Sequence, residues 1–206
     1  MTRIMAINRL VSSIRLKPSQ LLVRDFNDGT VQGFSGGSNS GNKLFVDTWN
    51  SAIYSTIFPQ EITMKGKVII DEMAGTDSWM AFQPVQRHKD GNNHYYLQFQ
   101  VLEDKIYIIR KVGGVDAYYK SADTTLVIGT EYLFEWTITG SGADTFHTLK
   151  IDGVTIINND QDGENTILTS GQIGVRNNGA KGRIDDIEVS LNTTPSRSVA
   201  GTRSAI

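Results

Sequence analysis

An all-β sandwich or jelly roll is the fold this sequence predicts, on three observations. Apolar and polar residues alternate at period 2 along the body, as strands with one buried face require. Gly, Asn and Asp clusters cut the chain into about a dozen short segments at roughly regular spacing. No stretch of the body shows a 3.6-residue apolar period, and no internal repeat is evident. At 206 residues the chain suits one well-buried domain and is short for two.

Each element follows in order. Leu21 to Phe26 is a short apolar strand closed by the turn Asn27-Asp28-Gly29. Ser35 to Asn42 is a Gly/Ser/Asn loop with no apolar side chain to bury. The segment from Lys43 to Trp49 and a second one around Ile53 to Phe58 are strand candidates. Ile62, Met64, Gly66, Val68 and Ile70 share one strand face. Trp79 to Arg87 leads into the turn Lys89 to Asn93, whose Asp90-Gly91 pair is a strong hairpin signal. On the next strand Tyr95, Leu97, Phe99 and Val101 share a face, and His94, Tyr96, Gln98 and Gln100 share the other. Turns at Glu103-Asp104, Gly113-Gly114 and Asp152-Gly153 continue the meander, with Tyr132, Phe134, Trp136 and Ile138 alternating between them. The runs Gln172 to Arg176 and Arg183 to Leu191 supply the last strands. The expected core includes Val68, Tyr95, Leu97, Phe99, Phe134, Trp136, Ile151, Ile187 and Val189.

Composition excludes several classes. The absence of Cys removes disulfide scaffolds, Cys-ligated zinc and cysteine nucleophiles. No apolar run approaches the ~20 residues that span a bilayer. A net charge of −2 argues against a globally basic nucleic-acid binder. The charge is unevenly placed: residues 1–24 hold Arg3, Arg9, Arg15, Lys17 and Arg24 and no acid, and residues 192–206 hold Arg197 and Arg203 and no acid. An acidic body therefore carries basic ends. The N-terminal segment superficially suits a mitochondrial presequence, but Asn8, Arg9 and Arg15 interrupt any secretory apolar core; it reads as part of the mature protein. The chain divides into a basic arm (1–20), a β-sandwich (21–191) and a polar basic tail (192–206).

The run Gly171-Gln172-Ile173-Gly174-Val175-Arg176, followed by Arg183-Ile184-Asp185-Asp186-Ile187-Glu188-Val189, resembles the closing strands of concanavalin A-like, laminin-G-like jelly rolls. The segments Asp25 to Gly29, Asp90 to Tyr95 and Lys150 to Val154 are similar to other landmarks of that superfamily and stand in the expected order. The resemblance covers about residues 21–191 and implies a domain that binds glycans, assists enzymes or builds extracellular and viral structures. It also implies a structural Ca²⁺ shared by Asp28 and Asp185 or Asp186. By strand parity Asp185 sits with Ile187 and Val189 and leans toward the buried face, where its partner is calcium, Arg183, Arg24 or a backbone turn.

Hydrolytic members of the superfamily carry an E-x-D-x-x-E run; Asp71-Glu72 and Asp185-Asp186-Ile187-Glu188 do not match it. His88, His94 and His147 have no Ser or carboxylate placed for a triad, and neither Gly-Gly pair continues as a phosphate loop. No catalytic constellation is present, so a non-enzyme is expected. A glycan would need exposed aromatic faces beside planar hydrogen-bonding groups. Tyr96, Gln98 and Gln100 on the central hairpin offer these, with Arg110 and Tyr118 on the following strands and Trp79 and Arg87 on the preceding one. Trp49 reads equally as a core plug or a ligand platform. The arm combines Arg3, Arg9, Arg15 and Lys17 with Ile4, Ile7, Leu10 and Ile14, which suits a strap docking on another protein subunit. The expectation is a structural or adhesion protein of a larger assembly, such as a virus or phage particle (capsid decoration or tail), placed on a virion or other extracellular assembly surface. A stand-alone carbohydrate-binding module is the alternative.

Overall fold

The period-2 alternation becomes antiparallel strands in the structure, a computed structural model that describes residues 20–77, 80–164 and 168–192, apart from the Tyr118 side chain. In chain order these are β1 (Gln20–Arg24), β2 (Phe34–Ser35), β3 (Ser38–Ser40), β4 (Lys43–Val46), β5 (Ser51–Tyr54), β6 (Ile62–Met73), β7 (Ala81–Asp90), β8 (Asn93–Gln100), β9 (Lys105–Val112), β10 (Val115–Asp123), β11 (Glu131–Thr139), β12 (Phe146–Ile151), β13 (Val154–Gln161), β14 (Gln172–Asn178) and β15 (Ala180–Leu191). They form two sheets. One runs β13-β12-β11-β6-β15-β4-β3, with β1 also paired to β15; the other runs β10-β9-β8-β7-β14-β5-β2. The hairpins fall at Asp90-Asn93, Gly113-Gly114 and Asp152-Gly153, where the turn residues place them.

Between the sheets lies the core. Val68, Tyr95, Leu97, Phe99, Phe134, Trp136, Ile187 and Val189 are fully buried, and Ile151 nearly so. Phe99 from β8 meets Phe134 from β11 edge to face at 6.5 Å, joining one sheet to the other. Where β14 crosses β5, Gly174 permits the approach: a Cβ there would stand 2.6 Å from the Ala52 carbonyl oxygen. That close contact fixes β5 and the loop leading into it beside β14.

One open edge is stitched by polar groups. Lys120 of β10 meets Asp160 of β13 at 2.5 Å. Just beyond β13, Asp162 pairs with Arg110 of β9 and accepts a 2.6 Å hydrogen bond from the Tyr95 hydroxyl. These bonds join the last strands of the two sheets.

Of the irregularities in strand pairing, two reposition residues expected at a site. Asp186 takes φ +48° and the β15–β6 register shifts between Asp185 and Glu188, so Ile184 and Ile187 are both buried. Asp185 therefore does not share the core-facing parity of Ile187; it turns out to Lys43 at 3.0 Å. In β7, Arg87 takes φ +49° and the pairing with β8 shifts between Gln86 and Asp90. Its side chain consequently enters the interior.

Candidate functional site

The loop between β4 and β5 is a tight turn. The Asp47 side chain accepts from the Thr48 amide at 2.7 Å, and the Asp47 carbonyl accepts from the Asn50 amide at 3.2 Å. The turn places Trp49 at φ +63°, a left-handed conformation uncommon for a bulky residue, with 58% of its surface exposed. Trp49 is thus a presented aromatic rather than a core plug. Asn177 of β14 holds this loop: its amide donates to the Asn50 carbonyl at 2.8 Å, and its side-chain amide donates to the Val46 carbonyl.

Beside Trp49 opens a cleft of about 220 Å³ lined by Ile53, His88, His94, Arg176 and Asn177 among others, with no Asp or Glu among the described residues of its wall. His94 is fixed at both ring nitrogens. Nδ1 lies 3.1 Å from the Asp90 carbonyl, which only accepts, so Nδ1 carries the proton. Nε2 is then the acceptor for Arg176 Nη1 at 2.9 Å. Burial, with help from the charge of Arg176, pushes the His94 pKa down to about 4. Burial lowers His88 in the same direction. The two imidazoles lie 5.4 Å apart. The Arg176 guanidinium also sits over the Tyr96 ring at 5.1 Å.

The expected glycan row is divided by the structure. Tyr96, Gln98 and Gln100 lie on the outer face of β8 but are buried, so they form a floor rather than a platform. Gln83 Nε2 donates to Gln98 Oε1 at 3.2 Å, and Gln98 in turn to Gln100. Arg87 is withdrawn from any ligand: the bulge turns it inward, where it donates to the carbonyls of Leu168, Gln60 and Gly140 at 2.7–2.8 Å. Arg110 is likewise taken, by Asp162. Trp79 and the Tyr118 side chain lie outside the described residues, as do Arg3, Ile4, Ile7, Arg9, Leu10, Ile14, Arg15 and Lys17 of the arm. Local reading missed the pairing of His94 with Arg176, which are 82 positions apart. The available signal was parity: Arg176 follows the core residue Val175, so it faces out from a central strand.

The three carboxylates expected to share calcium have separate partners. Asp28 accepts from the Thr30 amide and hydroxyl at 2.9 and 2.8 Å, Asp185 pairs with Lys43, and Asp186 with Lys67 at 2.8 Å. Among the described residues no three His, Asp or Glu side chains converge as metal ligands. No described helix is long and apolar enough to cross a membrane.

No protein-family model matches the chain, and no curated protein matches it in sequence. Solved structures do match in shape. The carbohydrate-binding module CBM66 from Bacillus subtilis superposes with a TM-score of 0.62 at 13% identity, covering 77% of this chain and 95% of the module. A Bacillus subtilis protein of unknown function with a galectin-like fold gives 0.65 at 15% identity, covering 85% and 97%. The GH43 protein BlXynB from Bacillus licheniformis gives 0.61 at 12%, covering 82% of this chain and 39% of that one. The fold is the concanavalin A-like jelly-roll β-sandwich that the closing motifs resemble.

Proposed function

We propose that this chain is a carbohydrate-binding, lectin-like module that holds a sugar in the cleft between Trp49 and the Arg176–His94 pair. The observation that carries the reading is Trp49, an exposed indole kept in a left-handed backbone conformation beside hydrogen-bonding groups. Such a conformation costs about 1–3 kcal/mol and persists at sites where the surroundings enforce it. An indole face stacks on sugar C–H groups, while planar side chains next to it read hydroxyls. The carbohydrate-binding module among the structural neighbours supports this reading at the level of fold. The virus or phage assembly role rested on the arm and gains no support from those neighbours.

The reading takes the module as non-catalytic. Glycoside hydrolysis generally uses a pair of carboxylates across the scissile bond, and the described residues of the cleft wall supply none. Affinity electrophoresis against a panel of soluble polysaccharides tests the proposal. Retardation in at least one gel, lost in Trp49→Ala with its melting curve unchanged, is the expected result. Retardation that survives Trp49→Ala would move the site elsewhere, and release of reducing ends during the run would make the protein an enzyme.

A further inference from the structure

Among the described residues Arg24, Arg87 and Arg176 have no carboxylate partner, and of these Arg176 makes the fewest hydrogen bonds. Arg110 pairs with Asp162, and Arg183 makes a two-pronged bond with Asp71. Arg87 spends its terminal nitrogens on three backbone carbonyls. Arg24 donates from all three nitrogens, to the carbonyls of Gln32 and Val23 and to the Tyr54 hydroxyl. Arg176 uses one nitrogen, Nη1, and gives it to a histidine. No carboxylate among the described residues lies within ion-pair distance of it. The carboxylate of Asp90, in the adjacent hairpin, is occupied by the Asn92 amide and the Asn93 side chain.

The guanidinium is nevertheless held rigidly. Tyr96 supports its face and His94 anchors one corner. A guanidinium has five N–H donors in a fixed plane, so most of the fork remains for a ligand. A fork that is already oriented loses little freedom when it binds. Two further groups in the same wall are buried without a partner, Asn177 Oδ1 and His88 Nδ1. Buried polar atoms are normally satisfied, and both of these belong to residues that line the cleft.

We propose that the ligand of this cleft is an acidic glycan, whose carboxylate or sulfate group is received by Arg176 while Trp49 stacks on the ring that carries it. An anion that presents two oxygens, as a carboxylate or a sulfate does, matches the guanidinium fork. The neutral imidazole of His94 restrains the arginine without cancelling its charge. This assignment rests on the carbohydrate-binding reading and goes beyond it by naming the charge of the ligand.

Four probes separate the alternatives: polygalacturonate, its fully methyl-esterified form, dextran sulfate and dextran. Titration calorimetry should show binding to one or both of the charged polymers, at least 10-fold tighter than to the neutral counterpart, and weakening as salt is raised. Preference for polygalacturonate identifies a carboxylate, and preference for dextran sulfate a sulfate. Arg176→Gln should lose about 10- to 100-fold in affinity, and Arg176→Lys should recover part of it, because lysine keeps the charge but not the fork. Should Arg176→Gln fail to fold, the salt dependence of the unaltered protein still decides. Equal affinity for charged and neutral polymers, lost in Trp49→Ala, overturns the acidic assignment and leaves a carbohydrate-binding module. Binding to none of the four overturns both readings.

Discussion

His147 shows how one buried side chain ties stability to pH. It is fully buried, 4.9 Å from the Tyr95 ring, 5.2 Å from Tyr119 and 6.1 Å from Trp136. The Trp136 indole N–H donates to its Nδ1 at 3.3 Å, so the ring proton is on Nε2, which has no partner. Burial, then the charges of Arg87 and Arg110, push its pKa from 6.5 down to about 3. A histidine depressed in the folded state binds its proton in the unfolded chain first. Its contribution is therefore present above about pH 6.5 and is lost as pH falls toward 3. Each unit is worth about 1.4 kcal/mol, so the full effect is on the order of a few kcal/mol. His94 and His88, depressed by burial, act in the same direction. Thermal melts should show a falling midpoint from about pH 6.5 downward, before most carboxylates titrate. In His147→Gln that slope should flatten; an unchanged slope would place the acid sensitivity elsewhere. Tyr95 and Trp136 were legible as core by alternation, whereas His147 was legible only as lacking a triad partner.

At the level of elements, alternation and turn chemistry carried most of the fold. The Asp-Gly turns at Asp90-Gly91 and Asp152-Gly153 and the Gly113-Gly114 turn set hairpins where they were expected, although the pairing shifts register within each. Bulges were not legible, because Arg87 and Asp186 adopt positive φ without a glycine to announce it. Each shifts the pattern by one residue, and a one-residue slip exchanges the two faces of a strand. That is why Arg87 is a structural residue rather than a sugar ligand, and why Asp185 meets Lys43 at the surface. The cleft was legible only in part: Tyr96 and His94 were correctly placed on the outer face, but their meeting with Arg176 depends on sheet order, which no local pattern encodes. Arg87 offers a direct check. Burial lowers its pKa to about 10, which leaves it charged at neutral pH. It bonds three backbone carbonyls, one each from the segments before β6, after β11 and before β14. Arg87→Met leaves them without that donor, at ~1–3 kcal/mol for each that stays buried and unpaired. Chemical denaturation should register a loss of ~3 kcal/mol or more. A loss under ~1 kcal/mol, the range of surface changes, would mean that the bulge does not depend on these bonds.

Across the whole molecule surface charges are mostly answered by partners, Lys111 and Asp116 on the β9–β10 hairpin included, and Arg176 is an exception. On the β6–β11–β15 face lysines and carboxylates answer one another: Lys43 lies between Glu131 and Asp185, Lys67 between Glu131 and Asp186, and Glu135 between Lys65 and Lys150. Hydrogen bonds from Lys150 and Lys65 outweigh burial and lower the Glu135 pKa, while the bond that Lys67 donates to Asp186 raises that of Lys67. The charge that a structural calcium would neutralise at Asp185 and Asp186 is already neutralised by lysine. On the other sheet Arg176 stands over Tyr96, with no carboxylate among the described residues within ion-pair distance. The molecule should therefore respond to ions through binding and hardly at all through stability. Partly exposed ion pairs contribute about 0–1 kcal/mol each, so added salt should move the melting midpoint little, and EDTA and millimolar calcium should give superimposable melts. Calcium binding at the acidic pair would instead raise the midpoint with concentration by mass action. The affinity for an acidic polysaccharide, measured in the same buffers, should fall steadily as salt screens Arg176. Should the midpoint follow calcium while binding ignores salt, the roles given to the acidic pair and to Arg176 would have to be reversed.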